Sequence, residues 1–261
     1  MTLSFVIPFY RKFPWLKTVF PRNRCFQSES AEVVLVLDEP TQEREVVEFI
    51  RAQPVKTRVI VNDQDHPWRP PCSPINVGVR HALGDYIATF SPESYVLVEP
   101  GYLEQQIALL PKRFVLTGNM WHVLGIGPEH PLEAVVDYLA EHKPVSDFYG
   151  FQCCPKELLI EVGGYDERRQ GYGGDDDDVY IRLCEKGQRV VDPNIRIAHP
   201  YHESVPRNST PREPYRRPSS FGGREFSRIA FDYANVAQMA EQVPSKHQVA
   251  GSLPVVRSIY S

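Results

Sequence analysis

The sequence predicts an α/β fold in which a mainly parallel sheet is covered by helices on both faces. Short apolar segments alternate along the chain with segments of helical periodicity, which is typical of repeated strand–helix units. The apolar segments are continuous, as expected for strands that are buried on both sides. With 261 residues, 42% of them hydrophobic and 24% charged, the chain is long enough to bury a substantial core.

The first part of the chain carries the regular part of this pattern. Strands are predicted at residues 3–8, 32–38, 58–62 and 86–90, and helices at residues 43–52 and 76–83. Gly84 stands where a glycine commonly follows a helix end. Ligands bind beyond the carboxyl ends of the strands in such sheets. The positions expected to face a ligand are therefore 9–11, 38–41, 62–65 and 91–94.

The second part of the chain is less regular. Helices are predicted at residues 102–110, 132–140 and 175–186, and strands at residues 113–116 and 148–153. Residues 203–224 contain four prolines and five arginines, which is typical of a loop or arm. We therefore expect one α/β domain over residues 1–202 and a C-terminal arm over residues 203–261, with a short helix at residues 224–239.

Composition and charge exclude several classes of function. A net charge of −4 argues against a general affinity for nucleic acid or for anionic membranes. No apolar run approaches the ~18 residues of a membrane span, and the N-terminus lacks the features of a secretory signal. We expect a cytoplasmic protein, with peripheral membrane contact left open. The five cysteines include no C-x-x-C pair, so we expect reduced thiols that serve as small apolar residues.

Four consecutive aspartates at residues 175–178 follow a glycine-rich loop and open a predicted helix. Neighbouring carboxylates raise one another's pKa, while the helix N-terminus offsets part of their repulsion. A carboxylate with a raised pKa suits general base catalysis. Helical geometry allows at most two of the four to face one pocket. The alternative is a solvated acidic helix start or a chance cation site, and the glycine-rich loop favours a functional role.

Four segments, in this order, resemble the family 2-type GT-A glycosyltransferases. Residues 2–10 are similar to the opening strand and nucleotide-binding loop of that family, and residues 34–41 to its second strand. Residues 76–87 match its N-x-G-x-x-x-A-x-G-D-Y-I segment. Residues 163–183 resemble the G-G-x-D-E … G-G-E-D-D-D … R-L element of galactosyltransferase-like and chondroitin-polymerase-like members. The resemblance covers residues 2–202.

This resemblance implies a GT-A (Rossmann-like) fold and an enzyme of glycan or polysaccharide assembly. A nucleotide-binding half at residues 1–95 would precede an acceptor-binding and catalytic half at residues 96–202. The implied reaction is the inverting transfer of a hexose from a nucleotide-sugar donor to a saccharide or glycolipid acceptor, with a UDP-type donor favoured.

The resemblance also implies roles for individual residues. Asp176 occupies the position of the catalytic base, and Asp175, in place of the usual Glu, would hydrogen-bond the acceptor. Asp38 would contact the base or ribose of the donor. The other implied contacts are Pro8, Phe9, Tyr10 and Arg80 for the donor, and Gly174 and Trp121 for the acceptor. Packing or surface salt bridges are the alternative for Tyr10 and Arg80, and a core position is the alternative for Trp121.

The sequence departs from the family at its metal-binding D-x-D motif, which should fall at Ser91-Pro92-Glu93. Three interpretations follow. Glu93 could hold Mn²⁺ or Mg²⁺ together with His199 or His202. Transfer could instead be metal-independent, with the arginines after His202 stabilising the leaving diphosphate. The third interpretation is a catalytically degenerate pseudoenzyme that binds nucleotide or glycan without transfer. A nucleotidyltransferase is disfavoured, because residues 9–13 contain no glycine.

Overall fold

The computed structural model describes residues 1–62, 71–168, 174–201 and 227–234. These residues build a nine-stranded sheet with the strand order β5-β8-β6-β7-β4-β1-β2-β3-β9. The strands are β1 (Leu3–Phe9), β2 (Ala31–Leu37), β3 (Thr57–Asn62), β4 (Tyr86–Thr89), β5 (Tyr95–Leu97), β6 (Phe114–Val123), β7 (Gln152–Pro155), β8 (Gln188–Pro200) and β9 (Ser227–Asp232).

The first four strands form the parallel part of the sheet. Strand β1 pairs in parallel with β2 on one side and with β4 on the other, and β2 pairs in parallel with β3. The chain therefore builds outward from β1 to β3 and then crosses back to place β4 on the opposite side of β1. This reversal of strand order lies between β1 and β4, which is where α/β sheets open a crevice for ligands.

The second half of the chain extends the sheet with mixed pairing. Strand β7 runs antiparallel to β4 and β6, whereas β8 runs parallel to β6 and antiparallel to β5. Strand β9 adds to the opposite edge, antiparallel to β3. The predicted parallel α/β fold is thus confirmed, with the parallel pairing concentrated in the core of the sheet.

Helices cover both faces of the sheet. The α-helices are α1 (Phe13–Val19), α2 (Glu43–Arg51), α3 (Cys72–His81), α4 (Tyr102–Leu109), α5 (Leu132–Glu141), α6 (Lys156–Glu161) and α7 (Asp175–Cys184). Helices α1, α2 and α4 bury apolar side chains on one face, and α3, α6 and α7 on the other. Because β1 and β2 are buried on both sides, their apolar residues are continuous, as the sequence shows. Across the described residues, no helix is both long enough and apolar enough to cross a membrane.

Most predicted elements are present, with two clear errors. The helix predicted at residues 224–239 is wrong over Ser227–Asp232, which form the edge strand β9. Phe231 of that strand is buried, and Arg228 forms an ion pair with Glu43 of α2, so the sheet continues past the predicted domain boundary at residue 202. The strand predicted at residues 148–153 begins only at Gln152, because residues 148–151 form the turn that leads into β7.

Gly84 has a different role from the predicted helix stop. Helix α3 already ends at His81, and Gly84 lies against β1, where a β-carbon would approach Oγ of Ser4 to 2.6 Å and its backbone nitrogen to 2.7 Å. The glycine is required by close approach of two backbones. All five cysteines are free thiols, and four of them are buried, in agreement with their predicted use as small apolar residues.

Gly78 in α3 is the closest packing point between this helix and the sheet. A β-carbon at Gly78 would overlap Cγ1 of Val6 and meet Cγ2 of Val36 at 3.0 Å. We expect Gly78→Val to lower the free energy of unfolding by about 1–3 kcal/mol, because overpacking displaces both strands. The measurement is urea unfolding, with the exposed helical position Ala140→Val as the control. Equal stability of the two variants would show that α3 does not depend on this contact.

Candidate active site

A cleft opens at the carboxyl ends of β1 and β4 and encloses about 380 Å³ of space, part of it open to solvent. Its wall includes Pro8 from β1 and the segment from Thr89 to Ser91 after β4. Since β7 runs antiparallel to β4, with Thr89 opposite Gln152, the start of β7 reaches the same edge of the sheet. The remaining lining residues are Pro71, Ile75, Gly150, Phe151, Gln152, Tyr165, Asp175 and Asp176.

Helix α7 begins at this cleft and presents Asp175 and Asp176 to it. Burial, followed by the neighbouring charges of Asp175 and Asp177, raises the pKa of Asp176 to about 8. The backbone N–H of Gly150 donates to this carboxyl group and opposes part of the shift. A carboxyl with such a pKa is ionised to a substantial extent only near and above neutral pH and can then accept a proton from a hydroxyl group.

The other two aspartates of the helix are held away from the cleft. Asp178 forms a buried ion pair with Arg182, one helical turn further on, at 2.6 Å, and Arg182 also donates to the carbonyl oxygen of Val162. Asp177 accepts a hydrogen bond of 2.8 Å from Tyr149 Oη. Asp177 and Asp178 thus have separate partners, whereas Asp175 and Asp176 line the cleft. This agrees with the limit of two acids per pocket expected from helical geometry.

Asn76 joins α3 to the loop that carries Tyr165. The Asn76 side chain accepts a hydrogen bond from the Tyr165 N–H at 2.9 Å and donates to the Tyr165 carbonyl oxygen at 2.7 Å. Tyr165 is buried in the cleft wall, and its hydroxyl lies 2.9 Å from Oγ1 of Thr89. Burial, together with the nearby charge of Asp176, raises the pKa of this phenol well above its ordinary value, so Tyr165 is a neutral hydrogen-bonding group.

A second polar group lies at the ends of β2 and β3. Asp38 is buried there and accepts a hydrogen bond of 2.9 Å from Nδ2 of Asn62, which lies 3.4 Å from Oγ of Ser73. Pro8 lines the cleft at the end of β1, whereas the side chain of Phe9 packs in the hydrophobic core. Tyr10 lies under the guanidinium group of Arg11, which is 5.0 Å from the ring centroid.

Glu93, at the position of the second D-x-D acid, is buried two residues beyond the cleft-lining Ser91. Its Oε1 accepts a hydrogen bond of 2.6 Å from Nζ of Lys12 and lies 3.6 Å from Nε2 of His199. Among the residues that the structure describes, no group of three His, Cys, Asp or Glu side chains is arranged to hold a metal ion. Ser91 replaces the first acid and Lys12 pairs with the second, so the described residues offer a divalent cation Glu93 and the nearby His199 but no third ligand of these types.

Two predicted site residues, Arg80 and Trp121, lie away from the cleft. A crossover helix runs antiparallel to the strands that it connects, so only the first turn of α3 meets the cleft. Arg80 is near the C-terminal end of α3 and therefore lies towards the opposite edge of the sheet. Trp121 is only 6% exposed, belongs to a core cluster with Val123 and Val135, and donates its indole N–H to the carbonyl oxygen of His142. His202 lies outside the described residues, as do the arginines Arg207, Arg212, Arg216, Arg217 and Arg224.

Four residues in or next to this cleft were not predicted from the sequence. Gln152 lines the cleft and donates from Nε2 to the carbonyl oxygen of Asp176 at 3.2 Å, and Gly150 contacts the carboxyl of the same residue. Neither has a distinctive sequence signal. Tyr165 is the variable position of the G-G-x-D-E motif, and Lys12 belongs to a basic pair directly after β1. The last two carried a signal, because motif positions and residues that follow strands are where contacts are expected.

Comparison with known proteins gives one family match and several structures of similar fold. A family model described as the N-terminal domain of galactosyltransferase matches residues 131–204, a range that includes α7. No curated protein matches the sequence.

Solved structures show the same fold at low sequence identity. S. aureus TarS 1–349 in complex with UDP-GlcNAc superimposes with a TM-score of 0.57 at 17% identity, covering 78% of this chain and 60% of that one. The mannosyltransferase PcManGT from Pyrobaculum calidifontis, in complex with GDP-Man and Mn²⁺, gives 0.52 at 13% identity, with 79% and 57% covered. This chain therefore spans about three fifths of the length of these structures and has the GT-A glycosyltransferase fold.

The raised pKa of Asp176 makes a prediction about stability. An acid whose pKa is higher in the folded state stabilises the protein when protonated, and this stabilisation is lost as the pH rises from about 4 towards 8. The Asp176→Asn variant cannot ionise, so it should become progressively more stable than the wild type over that range, by at most about 1.4 kcal/mol per pH unit.

The measurement is urea unfolding at several pH values, with Asp137→Asn on the exposed face of α5 as the control. A stability difference for Asp176→Asn that does not change with pH would contradict the assigned pKa.

Proposed function

We propose that this protein transfers a hexose from a nucleotide-sugar donor to a hydroxyl group of a saccharide or glycolipid acceptor. The observation that carries the proposal is the position of Asp176 on the cleft wall, with a carboxyl group whose pKa is raised towards neutrality. The GT-A fold and the galactosyltransferase-domain match over residues 131–204 support it.

In the proposed reaction Asp176 is the general base. Its ionised carboxylate removes the proton from the acceptor hydroxyl while that oxygen attacks the anomeric carbon and the nucleoside diphosphate leaves from the opposite side. The configuration at the anomeric carbon is therefore inverted. Asp175, beside it on the cleft, orients the acceptor hydroxyl, and Gly174 lets the chain pass close to the acceptor, since it has no side chain and a left-handed backbone at φ 78°.

The donor lies, in this proposal, across the carboxyl ends of β1, β2 and β4. Asp38 accepts a hydrogen bond from the base or ribose, and its bond from Asn62 fixes the direction of the carboxylate. Pro8 and Tyr10 flank the nucleoside. A UDP-type donor is favoured, because the TarS structures of this fold bind UDP and UDP-GlcNAc. The residues at the D-x-D position favour donor binding without a divalent cation.

A second candidate is a pseudoenzyme that binds nucleotide or glycan without transfer. The observation that favours it is the replacement of the D-x-D acids by Ser91 and by a Glu93 that forms an ion pair with lysine. The two candidates share the binding site and differ in whether the donor bond is broken.

Donor binding is the first prediction of this proposal. A ligand that binds only the folded protein raises its apparent stability according to its concentration and affinity. We expect UDP and UDP-sugars to raise the melting temperature in buffer containing EDTA, whereas AMP does not. The measurement is a thermal shift series over UDP, GDP and their sugars. If none of these nucleotides shifts the melting temperature, either in EDTA or with Mn²⁺, a donor site in this cleft is rejected.

Bond cleavage by Asp176 is the second prediction. We expect slow release of UDP from a UDP-sugar with water as the acceptor, and a loss of about 10²–10⁴-fold in Asp176→Asn, which cannot take up the proton. In the wild type, kcat/KM should rise with pH to a plateau above about 8, because the free protein must lose the proton of this carboxyl first.

The control for this experiment is Asp137→Asn on α5, which should hydrolyse the donor at the wild-type rate. Binding of UDP without any release from UDP-sugars, in wild type and variant alike, would favour the pseudoenzyme.

A further inference from the structure

We propose that the ammonium group of Lys12 binds the donor diphosphate, in the place where a divalent cation stands in enzymes with an intact D-x-D motif. This inference rests on the proposed function and concerns the same cleft. A leaving diphosphate requires a positive charge nearby, and in this proposal a residue of the chain itself supplies that charge.

The position of Lys12 is the first argument. Lys12 follows β1 and Glu93 follows β4, the two strands whose carboxyl ends frame the cleft. Their side chains meet at 2.6 Å, so the ammonium group lies beside the carboxylate that would otherwise be a metal ligand. Lys12 and Glu93 lie four and two residues beyond the cleft-lining Pro8 and Ser91. In this proposal the diphosphate of a donor bound across β1 and β4 extends from the cleft to the ammonium group.

The burial of the pair is the second argument. The Glu93 side chain is 5% exposed and that of Lys12 is 20% exposed, so the carboxylate is the inner group and the ammonium the more accessible one. Nε2 of His199 lies 3.6 Å from the same Oε1 of Glu93. An ammonium group has three N–H donors, which allows it to hold Glu93 and a phosphate oxygen together. Hydrogen bonds between two charged groups are among the stronger ones in proteins.

The backbone around the pair is the third argument, because both partners are fixed. Arg11 has φ 52° and is the non-glycine residue with a left-handed backbone within the described parts of the chain. Such a conformation has a cost and concentrates at functional sites. The left-handed conformation of Arg11 turns the chain directly before Lys12. On the other side, the turn that contains Glu93 is closed by a bond from Ser94 N–H to the Ser91 carbonyl, and Asn23 donates to the Ser94 carbonyl at 3.0 Å.

The test compares a diphosphate with its nucleoside. Binding of UDP and of uridine is measured by titration calorimetry in EDTA for the wild type and for Lys12→Met. We expect UDP to bind about ten- to a hundredfold more weakly to the variant, which is the effect of losing a charged hydrogen bond, whereas uridine binds equally to both. Lys12→Arg should retain most of the UDP affinity, since it keeps the charge.

Two further variants serve as controls. Lys17→Met removes an exposed lysine from the same region, in helix α1, and should leave UDP binding unchanged. Lys12→Met combined with Glu93→Gln removes both charges and so avoids a buried unpaired carboxylate. It should show the same loss of UDP affinity as Lys12→Met alone, with a wild-type melting temperature.

The outcomes separate this inference from the proposed function. Unchanged UDP binding in Lys12→Met and in the double variant Lys12→Met with Glu93→Gln would overturn the role of Lys12 and leave the donor site standing. If the wild type binds UDP only after Mn²⁺ is added, the role of Lys12 is overturned in favour of a metal site. If neither uridine nor UDP binds the wild type, the proposed function fails and this inference fails with it.

Discussion

The candidate site depends on the pairing between the Asn76 side chain and the backbone of Tyr165. Asn76 lies on the helix that packs against β1 and β2, and Tyr165 lies in the loop that leads towards the acidic helix α7. The amide side chain satisfies one donor and one acceptor of that loop, both buried, which would otherwise carry a large desolvation cost. The two halves of the chain are thereby held on opposite sides of one cleft.

Within that frame, the four consecutive aspartates are distributed among different environments. Arg182 compensates Asp178 and Tyr149 contacts Asp177, so both acids contribute to packing around α7. Asp176 receives a backbone N–H from Gly150, which opposes the effects of its burial and of two neighbouring charges. Its raised pKa is therefore a consequence of where the helix begins. The left-handed Gly174 sets that starting point.

The sequence predicted the parallel core and the edge of the sheet at which the cleft opens, because these follow from periodicity. Helical geometry limited the aspartates at the cleft to two, and the family resemblance pointed to Asp175 and Asp176. It did not predict β9, since residues 227–232 are too short to separate a strand from a helix until the free edge of β3 is known. It placed Arg80 and Trp121 at the site, although motif membership carries no information on which end of a helix faces the cleft or which side of a strand is buried. The proposed role of Lys12 depends on its contact with Glu93, which is 81 residues away and is therefore not visible in a local sequence pattern.

Electrostatics links the two ends of the site. A diphosphate bound near Asp176 adds negative charge, which raises the pKa of that carboxyl further and keeps the base protonated. A cation beside the diphosphate reverses this effect, so the same group that stabilises the leaving phosphate also allows the base to ionise. A site with a buried base, and with a lysine paired to the one acid left at the D-x-D position, is therefore expected to use a fixed positive charge on the donor side. Among the described residues around the cleft, Lys12 is held at that position by its ion pair with Glu93.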